Sequence, residues 1–304
     1  MLTRRGFAVL AGSLVVGGAV AGPGAVRAAA SGAGGGLVGK LAEIEKKLGA
    51  RLGVAVLDTQ KGRLWKHRST ERFPLCSTFK LIACGAVLAR VDAGREDLNR
   101  RIRFEAVEVV TYSPVTKDRA GGAGMTLAEI CEAALTQSDN TAGNLILKSL
   151  GGPSAVTGFA RSLGDGTTRL DRWETELNEA APGDPRDTTT PLAMAANLRS
   201  LVVDGRQAGG NGLSRTSSDR LVAWMMSNKT GDAKLRAGLP KDWRIGDKTG
   251  GGDHGTMNDV AVIWPPGRKP VIVSVYMTET KASFDDRNAA IAEIGRAVKI
   301  AMGL

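Results

Sequence analysis

Histidine is nearly absent: His67 and His254 lie far apart, and neither falls in a His-x-His or His-Glu-x-x-His spacing. Zinc sites are built from such clusters, so zinc-dependent hydrolysis is excluded, and nothing implies a metal or other cofactor. Aromatic residues are scarce as well, thirteen in 304. The formal charge is +10, but Lys and Arg are spread along the chain. Without clustering, or aromatics to stack on bases, this excess does not make a nucleic-acid surface. A membrane-spanning helix is also missing. The one long apolar stretch, residues 8–25, is broken by Pro23 and several glycines, and nothing of spanning length follows.

What stands in its place is an export signal. Thr3-Arg4-Arg5-Gly6-Phe7 is a basic start with paired arginines, the apolar stretch follows, and Ala28-Ala29-Ala30 supplies small residues for cleavage. Residues 1–30 are read as this signal, of the twin-arginine type, placing the protein in the periplasm or outside the cell. No cysteine stands at the expected cleavage point, which argues against a lipid anchor. The signal carries Arg4, Arg5 and Arg27 and no acid, so its loss lowers the charge to +7, an excess assigned to a solvated face. Residues 31–36 are a Gly-rich, flexible lead-in.

The rest is long enough for one large core or two lobes. Leu37–Leu48 has apolar residues at helical spacing and stops at Gly49. Strands are predicted over 52–58 and 63–68, joined at Lys61-Gly62, and again over 243–249, 259–264 and 270–278. Between them lie helical runs at 75–91, after the Thr126-x-x-Glu129 capping box, from Pro191 to Val203, and at 218–226; residues 285–302 form a closing amphipathic helix. Strands from both ends must share one sheet to satisfy their edges. The expected fold is an α/β lobe, 37–72 with 227–304, flanking an all-α lobe, 73–226, with a small-ligand cleft between them.

Chemistry concentrates in four short clusters. Ser77-Thr78-Phe79-Lys80 puts a hydroxyl and an amine three residues apart, on one helical face, where the amine can activate the serine as a nucleophile. Ser138-Asp139-Asn140 follows, then Glu174 and Asn178 in Arg172-Trp173-Glu174-Thr175-Glu176-Leu177-Asn178, then Lys248-Thr249-Gly250. Glu174 and Asn178 are four apart, so a helical turn would aim both at one water.

In this order, the clusters resemble those of class A serine β-lactamases, and the resemblance covers about Leu37 to Leu304. It implies a β-lactamase/transpeptidase-like fold: a five-stranded antiparallel sheet flanked by helices, with the helical lobe inserted in the sequence. It implies hydrolysis of the β-lactam amide of penicillins and cephalosporins through a Ser77 acyl-enzyme, conferring resistance. Lys80 would be activator or proton relay; whether it or Glu174 is the acylation base stays open, while Glu174 would deprotonate the deacylating water. The oxyanion donors would be the N–H groups of Ser77 and Gly251. Ser138 would carry a proton to the leaving nitrogen. Asn140 and Asn178 would bind substrate, Lys248, Thr249 and Gly250 would line its carboxylate site, and Tyr112 would be the aromatic gatekeeper. Met257 occupies a place where relatives carry an arginine; Lys234, at another such place, would substitute. Asp139, Arg172 and Asp187 would be structural, the last two closing an Ω-shaped loop. Cys84 and Cys131 match a pair that is bridged in many relatives, so a disulfide is expected; Cys76 is read as packing. Clavulanate-type compounds would inhibit, and the expected state is a monomer. The nearest rival is a penicillin-binding D,D-carboxypeptidase or transpeptidase, disfavoured by Glu174 with Asn178. A non-catalytic β-lactam sensor would need a lost base or nucleophile, and neither is lost.

Overall fold

The computed structural model describes residues 36–205 and 212–304. The expected export signal, and the expected lead-in up to residue 35, lie outside the described residues.

Helix α1 (Leu37–Leu48) buries Leu37, Leu41 and Ile44 along one stripe and ends at Gly49, whose φ of 54° is the left-handed cap its lack of a Cβ permits. Strands β1 (Arg51–Asp58) and β2 (Arg63–His67) form a hairpin in which Asp58 faces Arg63 and Val54 faces His67. The chain then passes through helices α2 (Phe79–Asp92), α3 (Leu127–Thr136), α4 (Asn140–Leu150), α5 (Pro153–Ser162), α6 (Pro191–Leu198) and α7 (Arg215–Met226). It returns as strands β3 (Arg244–Gly251), β4 (Met257–Trp264) and β5 (Val271–Thr278) and closes with α8 (Phe284–Ala301). The five strands make one antiparallel sheet in the order β2-β1-β5-β4-β3. The two ends of the chain are thus joined by the β1–β5 pairing, with β3 at one edge. Two short two-stranded pairs, Phe73–Pro74 with Thr188–Thr189 and Arg101–Ile102 with Met125–Thr126, pin loops to the helical layer.

Both faces of the sheet are buried. One packs Leu52, Val54, Val56, Ile263, Val273 and Val275 against α1 and α8 through Leu41, Ile44, Ile294 and Val298. The other turns Ala55, Val260, Val262, Ile272 and Tyr276 toward the helical layer of Phe79, Ile82, Ile146, Leu198 and Leu221. Each fully buried Leu, Ile or Val contributes about 1.5–3 kcal/mol.

Some boundaries differ from the sequence reading. The run expected to be helical from Leu75 opens as a 3-10 turn, Cys76–Thr78, before α2. Cys76 has φ +42°, and Thr78 Oγ1 donates to the Leu75 carbonyl at 2.7 Å, a local bond that competes with the helical ladder. Helix α6 stops at Leu198 and continues as a π-helical segment, Arg199–Asp204, where one regular helix was expected. Helix α7 begins at Arg215, capped by Ser214, because capping and not apolar spacing sets its start. The expected Cys84–Cys131 disulfide is corrected: both are buried free thiols. Cys84 Sγ lies 3.8 Å from the Cys131 carbonyl oxygen, so its thiol proton is directed at backbone in a weak hydrogen bond and not spent in a sulfur–sulfur bond.

Candidate active site

The 3-10 turn presents Ser77 at the mouth of α2, with Lys80 one turn inside the helix and fully buried. Lys80 Nζ lies 2.9 Å from Ser77 Oγ, 2.9 Å from Glu174 Oε1, 2.8 Å from the Ser138 carbonyl and 2.7 Å from Asn140 Oδ1. A buried ammonium is costly unless paired, and these four oxygens are its solvation shell. Ser77 Oγ donates toward Glu174 Oε1 at 3.4 Å. Serine, amine and carboxylate therefore form one contiguous group, although 97 residues separate Ser77 from Glu174.

Two asparagines hold the carboxylate. Asn178 Nδ2 donates to Glu174 Oε2 at 2.6 Å from the 3-10 turn Glu176–Asn178. Asn144, on α4, grips the Glu174 backbone from both sides, accepting from its N–H and donating to its carbonyl, each at 2.9 Å. The Glu174–Thr175 peptide is cis. The Asn178 side-chain oxygen, Oδ1, is buried without a hydrogen-bond partner.

The segment bearing Glu174 is a loop clamped at its neck. Arg172 Nε donates to Asp187 Oδ2 at 2.6 Å, and Asp187 Oδ1 accepts from the Asp171 and Arg172 amides at 2.7 and 2.9 Å. Arg172 also pairs with Glu179. The Asp187 side chain is 1% exposed. Asp139 caps α4 by accepting from the Ala142 amide at 2.8 Å, and it also accepts from the Val115 and Thr116 amides, both at 2.9 Å. It thereby ties the loop carrying Tyr112 to the helix that carries Asn140. The Tyr112 carbonyl accepts from the Asn140 amide at 3.0 Å, while the Tyr112 side chain is 58% exposed on the rim.

Across from Ser77 runs edge strand β3. Lys248 Nζ donates to Ser138 Oγ at 2.9 Å and to the Thr249 carbonyl at 2.8 Å. Burial, and next the nearby Lys80 charge, pull its ammonium pKa down to about 7, against the attraction of Asp247, Glu174 and Asp259. Thr249 Oγ1 lies 2.5 Å from Thr230 Oγ1. Gly250 lets the strand come close: a Cβ there would stand 3.1 Å from the Leu75 carbonyl and 3.1 Å from Asn258 Nδ2. A cavity of about 490 Å³ opens here, and its lining includes Ser77, Tyr112, Ser138, Asn178, Lys234 and Gly251. The sequence-predicted residues thus converge on one cleft or stand directly behind it, while Asp139, Arg172 and Asp187 sit outside as loop clamps and Cys84 and Cys131 belong to the helical core.

The model of the β-lactamase enzyme family matches residues 37–301. An ancestral (GNCA) class A β-lactamase of known structure superposes with a TM-score of 0.84 at 62% identity, covering 87% of this chain and 99% of that one. The chain belongs to the class A β-lactamases. The AST-1 β-lactamase of Nocardia asteroides is 51% identical over 87% of this chain and 83% of its own length. The FAR-1 β-lactamase of Nocardia farcinica is 48% identical, over 86% and 82% respectively. The protein is accordingly a hydrolase acting on β-lactams, and the antiparallel five-stranded sheet with helices on both faces is the family's fold.

Several contacts in this β-lactamase were not read from its sequence. Asn144 was missed, although it stands four residues after Asn140 on one helical face, a spacing that could have found it. Gly143 leaves room for Lys80: a Cβ there would lie 2.8 Å from Lys80 Cε. Thr230, Asn258, Phe284 and Arg287 reach the site only through tertiary packing. Asn258 Nδ2 donates to the Pro74 and Leu75 carbonyls at 2.9 and 3.1 Å, tying β4 to the turn that carries Ser77.

Proposed function

We propose that this class A β-lactamase hydrolyses penicillins and cephalosporins through a covalent ester on Ser77. The observation that carries the proposal is the Ser77–Lys80–Glu174 group, with Glu174 aimed by Asn178 and Asn144. The Ser77 proton has two neighbouring acceptors. It leaves to Lys80 once that amine has passed its own proton to Glu174, 2.9 Å away, or it leaves toward Glu174 itself. The oxygen then attacks the lactam carbonyl, and the N–H groups of Ser77 and Gly251 take the developing negative charge. The leaving nitrogen receives its proton from Ser138, which recovers one from Lys248 at 2.9 Å. Lys248 and Thr249, with Gly250 allowing close approach and Lys234 alongside, hold the substrate carboxylate. Asn140 and Asn178 face the acylamino side, with Tyr112 at the rim. Glu174 returns its proton through Lys80 to the Ser138–Lys248 pair, which replaces the one given to the nitrogen and leaves the carboxylate ionised. It next deprotonates the water that cleaves the ester, and the unpartnered side-chain amide oxygen of Asn178, Oδ1, is a second anchor for that water.

Steady nitrocefin turnover, with a mass increment localised to Ser77 in a Glu174→Gln variant, supports the reading. One equivalent of colour followed by a stall would instead identify a penicillin-binding transpeptidase or carboxypeptidase. Preincubation with a clavulanate-type compound is expected to abolish turnover. Export by the twin-arginine route is part of the same proposal; replacing Arg4 and Arg5 with lysine should leave active enzyme in the cytoplasm, and unchanged release would refute the route.

A further inference from the structure

Two chains of contact lead away from Ser77 along the cleft. One runs through Asn140 and Asn178. The other runs outward from Thr249 to Thr230, whose carbonyl accepts from Lys234 Nζ at 3.1 Å, and then to Phe284 and Arg287. Phe284 is the first residue of α8 and is 61% exposed, an unusual place for a large apolar ring. Lys234 Nζ lies 5.6 Å from its ring centroid, and the Arg287 guanidinium, one helical turn on, lies 5.9 Å from it.

A cation–π stack could serve only to hold the first turn of α8. Two observations go further. No aspartate or glutamate among the described residues lines this outer end of the cleft, beside Thr230, Lys234, Phe284 and Arg287. Among the described residues, neither Lys234 nor Arg287 has a carboxylate within 4.0 Å; Asp286 instead accepts from the capping Ser283, and Arg287 donates to the Ser283 carbonyl. Asp247 and Asp259 act on Lys234 only at longer range, and burial holds its ammonium pKa below the usual lysine value against their attraction. This end of the cleft is therefore an exposed aromatic face beside the partly exposed Arg287 guanidinium, with Lys234, 6% exposed, buried next to it.

If Lys248 and Thr249 hold the substrate carboxylate, the reading on which this rests, the next ring carbon of a cephalosporin, C3, directs its substituent toward that face. We infer that Phe284 and Arg287, with Lys234 beside them, form a specificity subsite for flat, anionic C3 substituents of cephalosporins. The ring stacks on a planar heterocycle, and Arg287, a permanently charged fork, meets its acidic group. A cationic C3 group is disfavoured by the same charge.

The test is a set of cephalosporins with one acyl side chain and three C3 groups: an acidic heterocycle, a methyl and a pyridinium. Benzylpenicillin, which has no such substituent, gives the baseline. The wild-type enzyme should prefer the acidic compound to the pyridinium by roughly tenfold in kcat/KM, chiefly through KM, and the preference should shrink as salt is raised. In Arg287→Ala and Phe284→Ala the loss on the acidic compound should exceed the loss on benzylpenicillin by roughly fivefold, and Arg287→Lys should restore part of it. Equal losses on both, or a wild-type enzyme indifferent to C3 charge, overturn the subsite. Steady benzylpenicillin turnover by wild type keeps that outcome separate from failure of the active-site reading, which would show as no turnover at all.

Discussion

At the scale of single residues, division of labour follows from surroundings. Glu174 touches both the serine and the lysine, so in the proposed mechanism it is placed to serve the ester's hydrolysis whichever base opens the lactam. In Glu174→Gln the amide keeps shape but cannot take a proton; deacylation should slow by roughly 10²–10⁴-fold, with the ester visible by intact-mass spectrometry. Rapid acylation in that variant would make Lys80 sufficient as the first base. Lys248 sets a pH limit. Its pKa of about 7 means that the free enzyme holds this cation below that pH and loses it above. For substrates with one carboxylate, kcat/KM should fall as pH rises through about 7, while kcat changes less because the bound anion pulls the pKa back up. A profile flat to about pH 9 would exclude Lys248 as the carboxylate's main cation.

At the scale of elements, the site depends on two segments that must meet without being neighbours in sequence. The loop bearing Glu174 is closed by Arg172 and Asp187, and removing Asp187 leaves a mostly buried guanidinium short of its partner. Asp187→Ala should cost about 3–5 kcal/mol in urea unfolding. It should lengthen the life of the acyl-enzyme while Ser77 still acylates; unchanged turnover would mean that the loop is held elsewhere. Helix α4 makes the complementary contribution, since Gly143 lets it pack against the Lys80 side chain. In Gly143→Ala the new methyl displaces the amine from Ser77. Acylation should fall by roughly a hundredfold in a protein that still folds, measured by burst kinetics and circular dichroism.

At the scale of the whole molecule, the sheet is closed by the first and last strands, and its two faces carry separate sets of apolar side chains. No sulfur bridge contributes. Reductant should leave the melting temperature unchanged, and three thiols per chain should react with Ellman's reagent after unfolding without reductant; a single reactive thiol would restore the bridge. Much of this was legible beforehand. Helix α1 and all five strands follow from period and turn residues, within two residues at each end. The turn at Cys76 was not, because a positive φ at a cysteine leaves no trace in apolar spacing, and the π-helical end of α6 was hidden for the same reason. Local sequence determined which groups could do chemistry: Ser77 and Lys80 share a helical face, and Ser138, Asn140, Glu174 and Lys248 stand in recognisable company. Only tertiary structure decided that one ammonium meets oxygens from three separate segments, that Asn144 grips the backbone of Glu174, and that Lys234 comes within 5.6 Å of the Phe284 ring at the mouth of the cleft. Those are distances between elements remote in sequence, set by how the helical layer packs on the sheet, and no local spacing encodes them.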